Sequence, residues 1–372
     1  MRIARLSRFV LFTSLLPAFC TSNYPARISS GWMYAVALKR ISPESSDIRP
    51  ARPPDPLGVS IPLPYHHVLF PFGFPLHIRT NELGIIRAAE QSWAAFSQRF
   101  RETPLQVRVL VSDSSTTRRP PSPVVRAQAN LLTMVADSQN FACCDLANGF
   151  CFANLSKSAL LNRDYLRYHF LEAAVHVLLD TQHLVAVHAA CVVKDGHGVL
   201  FVGDSGAGKS SLAYACARRG WTYVSDDAAC VLRRRPGRQV LGNPQNFRFR
   251  PAVSALFPEL RGRVRVRNGK PSVEVRTESL TNLSTAYECT VDYIVFLDRR
   301  AQPAGQPRLA PVSEDEGLRG IFSSPWPPDL PIHQERLEAV ERLLKARLFR
   351  MSYLEFDAAI DLLEQTMMRR SS

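Results

Sequence analysis

The chain has 372 residues, of which 46% are apolar, so it can bury a sizeable core in one large domain or two ordinary ones. A formal net charge of +13 suits anionic partners or simple solubility, and no DNA- or RNA-binding motif accompanies it, so we expect no specific nucleic-acid partner. The eight cysteines form no CxxC pair with zinc spacing, and several lie in apolar runs, which indicates free thiols in a reducing compartment.

The first 61 residues are predicted to be a disordered or signal-like arm, or a wrongly assigned start. Residues 1–20 carry three arginines and then an apolar stretch, as a secretory signal does. Ser and Thr interrupt that stretch, Phe19 is bulky for a cleavage site, and the stretch is too short to span a bilayer. Residues 40–64 are proline-rich, as in an extended linker. We therefore expect a cytoplasmic protein without stable membrane insertion.

Residues 62–160 alternate strand-like and helix-like patterns and are predicted to form a small α/β domain. Apolar residues at helical spacing predict a helix near 82–100, and a loop rich in proline follows at 114–123. The predicted strands are "HHVLFPFGFPLHIRT", "LQVRVLVSD", "ANLLTMVAD" and "GFCFANLS". The chemistry of these residues does not reveal the role of this part of the chain.

Residues 161–372 are predicted to form a second α/β domain with a helical C-terminal extension. An amphipathic helix over 163–182 carries His169 and His176 on one face, and packing is favoured over metal binding because no third ligand has suitable spacing. Two strands, "VAVHAACVV" and "GVLFVG", follow and are joined by the tight turn "KDGHG". Further on, "DYIVFLDRR" is an apolar strand that ends in charge, and the chain closes with a helix, a strand and a helix.

The segment Gly203–Ser210 reads GDSGAGKS and satisfies G-x-x-x-x-G-K-[ST], the Walker A pattern. An apolar strand precedes it and a helical segment ending near Gly220 follows it, which is the context that a phosphate-binding loop requires. Lys209 suits the outer phosphates, and the Ser210 hydroxyl suits Mg²⁺. We therefore predict ATP and Mg²⁺ as ligands, with this binding set: Gly203, Asp204, Ser205, Gly206, Ala207, Gly208, Lys209, Ser210 and Ser211.

Two adjacent carboxylates, Asp226 and Asp227, end the next predicted strand, which the intervening helix can return to lie beside the strand that feeds the loop. One of them can hold Mg²⁺ while the other accepts the proton of an attacking hydroxyl. The alternative is a solvated acidic turn. His188 lies on the strand before "KDGHG", which would bring it near the loop, although a lone histidine in an apolar strand is more often a packed core residue.

The segment "VHAACVVKDGHGVLFVGDSGAGKSSLAYACARRGWTYVSDD" resembles the catalytic domain of HPr kinase/phosphorylase, the bacterial serine kinase of a phosphocarrier protein. The resemblance covers about residues 185–232, a minority of the chain. It implies a P-loop kinase fold shared with phosphoenolpyruvate carboxykinases. It also implies that Asp227 is the proton acceptor, with Asp226 in support, that Lys209 binds phosphate and Ser210 Mg²⁺, and that His188 assists at the phosphorylated centre.

Beyond the aspartates the sequence departs from that family. Where the family has the signature E-I-R-G-L-G-I-I-D-V, this chain has "ELRGRVRVRNG", whose Glu259 is a candidate second Mg²⁺ ligand. The favoured alternative is a plain hairpin that turns at Asn268-Gly269. The family's later active-site arginine has no clear counterpart, and Arg248 and Arg250 fit either phosphate contacts or surface positions on a strand.

These features predict an ATP-dependent kinase that phosphorylates a hydroxyl on a protein, a peptide or a small molecule, with no confident basis for phosphorolysis. Two alternatives stay open: a nucleotide hydrolase that drives a conformational change, and a nucleotide-sensing binding protein without phosphotransfer. The sequence leaves the acceptor and homo-oligomer formation undetermined.

Overall fold

The computed structural model describes residues 61–114, 116–226, 228–261, 264–267, 270–298, 306–322 and 330–368. The strands are β1 Tyr65–Leu69, β2 Leu76–Thr80, β3 Leu105–Ser112, β4 Val124–Gln128, β5 Leu131–Val135, β6 Phe141–Asp145, β7 Phe150–Ser156, β8 Leu184–Val187, β9 Ala189–Lys194, β10 His197–Val202, β11 Thr222–Ser225, β12 Ala229–Leu232, β13 Gln239–Leu241, β14 Asn246–Phe249, β15 Val264–Arg267, β16 Lys270–Arg276, β17 Glu288–Leu297, β18 Arg308–Pro311 and β19 Arg347–Ser352. The helices are α1 Leu83–Trp93, α2 Lys157–Leu161, α3 Arg163–Leu166, α4 Glu172–Gln182, α5 Lys209–Arg218, α6 Val253–Leu256, α7 Glu314–Ile321, α8 Pro331–Leu344 and α9 Phe356–Met368, and a π-turn at Arg167–Leu171 joins α3 to α4.

The protein is a mixed α/β structure with several sheets. The first sheet has the strand order β1-β2-β3-β7-β6-β5-β4, in which β2, β3 and β7 are parallel and the other pairs are antiparallel. Its core contains Trp93 of α1 together with Phe170 of the π-turn and Leu178 of α4. The helical segment 163–182 therefore buries one face against the first sheet. The division of the chain at residue 160 stays a prediction.

The second sheet has the order β11-β9-β10-β17-β13-β12-β8, and β19 extends it by pairing with β17 and β18. Alternate residues of its central strand face two different cores: Phe201 points to the side covered by α5 and α9, and Leu200 to the side covered by α8. The sheet is thus buried on both faces, as its nearly continuous apolar strands require. Its strand ends are left as the accessible positions.

A third, three-stranded sheet, β14-β16-β15, lies beside α5. Its anchor is aromatic: Phe247 stacks on Tyr223 with ring centroids 3.8 Å apart, and Tyr214 of α5 packs edge-on against Phe247 and Phe249. The antiparallel pairing of β15 with β16 confirms the predicted hairpin, whose turn residues 268–269 lie outside the described residues. This contact sets the position of β14 relative to the first residues of α5.

The arm at residues 1–60 lies outside the described part of the chain. Within the described part, no helix is both long enough and apolar enough to cross a membrane. The seven described cysteines are free thiols, as expected, and burial raises the pKa of Cys230 to about 12, so this thiol is protonated at neutral pH.

A buried ion pair joins α4 to α8. Arg336 Nη1 lies 2.5 Å from Asp180 Oδ2, and both side chains are shielded from solvent. Removing one partner leaves the other charge buried without compensation, so Asp180→Asn is expected to lower the free energy of unfolding by about 3 kcal/mol. Urea denaturation monitored by circular dichroism measures the change. The matched control is Glu314→Gln, which breaks an exposed ion pair with Lys345 and should cost less than about 1 kcal/mol. Equal losses in the two variants would contradict this role for the pair.

Candidate functional site

Three strands of the second sheet end at one edge. β9 is antiparallel to both β10 and β11, while β17 is parallel to β10, so β10, β11 and β17 all run in the same direction. The sequence prediction that β11 lies beside β10 is wrong in one respect, because β9 separates them. The consequence for the site is unchanged: the carboxyl ends of all three strands meet at the same edge, where ligands of α/β sheets commonly bind.

The glycine loop, residues 203–208, leaves this edge and leads directly into α5. Gly206 and Gly208 have φ angles of 92° and 100°, a left-handed conformation that is strained for residues with a side chain. Gly208 is the N-cap of α5, so the loop curls over the first N–H groups of that helix, which have no acceptors within the helix. The predicted order of strand, loop and helix is confirmed, and so is the helix end before Gly220, whose φ is 84°. Such an arrangement is suited to an anion.

Two cationic side chains flank the glycine loop. Lys209 is only 6% exposed, and its Nζ donates to the backbone oxygens of Gly203 and Asp204 at 2.7 and 3.3 Å. On the other side, Arg250 Nη2 donates to Ser205 Oγ at 2.9 Å, and a Cβ added at Gly206 would come within 3.0 Å of Arg250 Nη1. The absence of a side chain at Gly206 therefore lets the guanidinium approach the loop. Together the two side chains place positive charge on both sides of the loop.

Asp226 follows β11 at the same edge and is 4% exposed. Its Oδ2 accepts a hydrogen bond from the backbone N–H of Arg248 at 2.5 Å, which ties the carboxylate to β14. Asp227, the predicted proton acceptor, lies outside the described residues. Burial with a backbone donor fixes the orientation of the Asp226 carboxylate, as expected for a group that positions a ligand rather than one that swings freely.

His188 lies at the bend between β8 and β9, not within one long strand as predicted. The correction has a topological reason: β8 pairs with β12, whereas β9 pairs with β10 and β11, so the chain must change course between them. Ala189 pairs with Val202, and Val187 pairs with Ala229. His188 is therefore next in register both to the start of the glycine loop and to the segment that follows the two aspartates.

Glu259, the candidate second Mg²⁺ ligand, is engaged elsewhere on α5. Its carboxylate accepts from Tyr214 Oη at 3.2 Å and forms an ion pair with Arg218 Nη1 at 3.3 Å. Ser210 lies on the first turn of the same helix. A metal role for Glu259 stays a prediction, and it would require the carboxylate to give up these two partners.

Two residues at this edge were not assigned by the sequence analysis. Asp298 follows β17, whose Phe296 pairs with Val202 of β10, so its backbone stands beside the start of the glycine loop. The signal was present in the sequence as an apolar strand, "YIVFL", that ends in an aspartate. The other is Arg250, for which the sequence left phosphate contact and surface exposure as equal alternatives. The structure places it against Ser205.

The donor set at the edge fits a magnesium polyphosphate. Backbone N–H groups, an ammonium and a guanidinium match phosphate oxygens, and a hydroxyl with nearby carboxylates matches the oxygen ligands that Mg²⁺ prefers. Among the described residues, no group of three or more His, Cys, Asp or Glu side chains could hold a metal ion by itself. A divalent ion here would therefore depend on phosphate and water oxygens in addition to Ser210 and a carboxylate.

A scan of protein families finds no family that matches this chain. One curated protein, the putative HPr kinase/phosphorylase 2 of Oceanobacillus iheyensis, is 42% identical over 67 residues, which are 18% of this chain and 22% of that protein. The chain thus matches about a fifth of the length of this relative. A solved structure, the Hpr(Ser) kinase/phosphatase from Coxiella burnetii, is 18% identical and aligns over 50% of this chain and 95% of its own, with a TM-score of 0.26. A TM-score this low does not establish a shared fold.

Proposed function

We propose that the protein is an ATP-dependent kinase that transfers the γ-phosphoryl group to a hydroxyl of an acceptor. One observation carries the proposal: the glycine loop with its two flanking cations and the buried Asp226 converge on a single sheet edge. The local sequence similarity to a putative HPr kinase/phosphorylase supports the same reaction class. Phosphorolysis is not part of the proposal, because the segment around Glu259 keeps only Glu, Arg and Gly of the signature tied to it.

The loop and its cations bind the phosphates of ATP. The N–H groups at the start of α5, together with Lys209 and Arg250, neutralise negative charge on the transferring group, and electrostatic stabilisation of this kind dominates phosphoryl transfer. Ser210 and Asp226 would hold Mg²⁺, which when bound bridges phosphate oxygens and offsets their charge. Lys209 must turn from the loop oxygens to the phosphates, and the exchange replaces neutral acceptors with charged ones.

The acceptor hydroxyl loses its proton to Asp227, which directly follows Asp226 in the chain. Asp226 is held by the Arg248 N–H and fixes the start of this segment. His188, next in register to both the glycine loop and the residue after Asp227, is placed to donate a hydrogen bond near the transferring phosphoryl group. These roles assign base catalysis to one aspartate and positioning to the other.

Transfer of label from [γ-³²P]ATP in a native lysate tests the proposed function. The wild-type protein should label at least one species that a Lys209→Met variant leaves unlabelled, because the variant lacks the phosphate-binding charge. A hydrolase would instead release labelled phosphate rapidly with no acceptor present, and a sensor would bind ATP with negligible turnover. The kinase proposal fails if no species is labelled above the Lys209→Met background.

Arg250→Ala is expected to weaken ATP binding by about 10-fold, because a charge-assisted hydrogen bond contributes roughly 1.5 kcal/mol. Titration with a fluorescent ATP analogue measures the dissociation constant. The matched control is Arg261→Ala, which removes an exposed arginine whose side chain bonds only a backbone oxygen, at 3.4 Å, in the same part of the chain. Equal affinities of the two variants would remove Arg250 from the phosphate site.

A further inference from the structure

A large cleft lies between the first sheet's helices and the β14–β16 sheet. One wall comes from α1, α3 and the π-turn, and the other from residues 244–246 and 274–287. Its volume is about 1560 Å³, which exceeds the roughly 300–1,000 Å³ that is common for small-molecule sites. Its walls are mainly polar and charged side chains with few apolar ones. Size and polarity together favour an extended, polar chain as the occupant over a compact metabolite.

The cleft reaches the catalytic edge through one residue, Arg248. The backbone N–H of Arg248 binds the Asp226 carboxylate. Its guanidinium lies 5.7 Å from the ring centroid of Tyr168 and 3.9 Å from the Glu274 carboxylate, and both of these residues line the cleft. A molecule in the cleft would thus lie one arginine side chain away from the group that positions the transfer site.

The floor of the cleft is built around the π-turn that carries Tyr168. Such turns interrupt regular helices and occur frequently at functional sites. A buried network fixes this one: Arg167 Nη2 lies 2.9 Å from Glu172 Oε1, and Ser92 Oγ of α1 bonds both side chains. Burial opposes ionisation of Glu172, but the charges of Arg167 and Arg248 outweigh it and hold the pKa of Glu172 below its usual value. The floor is therefore ordered before anything binds.

The charges of the walls are unevenly compensated. All four lining carboxylates have a basic side chain within 4 Å: Glu90 near His67, Asp164 near Arg167, Glu274 near Arg248, and Glu278 near Arg276. Arg87 and Arg119 are exposed, and no carboxylate in the described part of the chain lies within ion-pair distance of either. Two cations are left available to an occupant, which favours one that carries negative charge.

We propose that this cleft binds the phosphoryl acceptor and that the acceptor is an acidic peptide segment bearing a serine or threonine hydroxyl. This inference rests on the proposed kinase function. Arg87 and Arg119 bind acidic side chains of the segment, and Arg248 and Tyr168 lie where the cleft meets the catalytic edge. The transferred atoms are those of the proposed reaction: the hydroxyl oxygen bonds to the γ-phosphorus, the bond to the β-phosphate oxygen breaks, and the hydroxyl proton passes to Asp227.

Fluorescence anisotropy with three pools of labelled decapeptides tests the proposal on the full chain. Each pool has a central serine and degenerate flanks that are acidic, neutral or basic. The acidic pool should bind tightest, and the double variant Arg87→Glu/Arg119→Glu should weaken its binding about 10-fold or more while improving that of the basic pool. The control is Arg101→Glu/Arg126→Glu, which makes the same charge change at exposed positions outside the cleft lining.

The possible results separate this inference from the proposed function. Equal binding of the three pools, or an unchanged preference in the Arg87→Glu/Arg119→Glu variant, overturns the peptide cleft. Label transfer in lysate to a small molecule alone overturns it too, and leaves the kinase function standing. Charge-dependent peptide binding with no transfer to any species instead overturns the kinase function, and with it the role of the cleft as an acceptor site.

Discussion

Replacing Lys209 by methionine is expected to lower phosphoryl transfer by about 100- to 1,000-fold, which is the usual loss when one preorganised charge-stabilising donor is removed. Methionine keeps the aliphatic bulk of a side chain that is almost fully buried, so packing changes little. The ammonium now bonds the Gly203 and Asp204 oxygens at the floor of the glycine loop, and no neutral side chain can carry charge into that position. Steady-state transfer and ATP titration measure the two effects.

The control for this variant is Lys345→Met, which removes an exposed lysine paired with Glu314 far along the chain. Its transfer rate should stay within about twofold of wild type, since exposed ion pairs contribute little. Thermal melting of both variants checks that neither loss comes from unfolding. A Lys209→Met protein that melts normally and still transfers at the wild-type rate would show that the loop does not bind the phosphates of ATP.

The glycine loop could be predicted from the sequence because its determinants are local. A strand, a glycine-rich turn and a helix that begins at Lys209 follow one another without interruption, and each element has its own signal. The same holds for the turn at Asp195-Gly196, where both residues have positive φ angles of 49° and 82°. Short-range patterns of this kind do not depend on which strands become neighbours.

Features that depend on pairing between distant segments were predicted less well. The interruption at His188 reflects two strands with different partners, a choice that "VAVHAACVV" does not encode locally. β4 was missed because nearly all of its side chains are exposed, so it lacks the alternation that marks a half-buried strand. Arg250 reaches the loop only because aromatic stacking places β14 beside α5, and nothing near Arg250 in the sequence announces that contact.

The site therefore combines a locally encoded phosphate loop with residues that only the tertiary fold gathers. Asp226 belongs to both groups: its place after β11 was expected, but the hydrogen bond from the Arg248 N–H was not. That bond links the carboxylate to β14, the same strand that leads to Arg250. A shift of β14 would move the Asp226 anchor and the second phosphate-side cation together, which makes this short strand the element that couples the acceptor side of the site to the ATP side.

Asp227→Asn is expected to lower phosphoryl transfer by about 100- to 10,000-fold while ATP affinity stays within about twofold, because a general base acts on the hydroxyl and not on the nucleotide. Asp226→Asn should behave differently. Its amide oxygen can still accept from the Arg248 N–H, but the lost charge weakens Mg²⁺ binding, so we expect a raised Mg²⁺ requirement for ATP binding as well as slower transfer. Transfer rates and ATP titrations over a range of Mg²⁺ concentrations separate the two patterns.

The matched control is Asp195→Asn, at an exposed turn position with a φ of 49° that asparagine tolerates well. It removes the same charge from a neighbouring hairpin and should leave both transfer and ATP affinity unchanged. If Asp227→Asn keeps more than about a tenth of the wild-type rate, Asp227 is not the proton acceptor, since an amide cannot take up the proton. His188 is then the next group to replace, because its register places it beside both the glycine loop and the residue that follows Asp227.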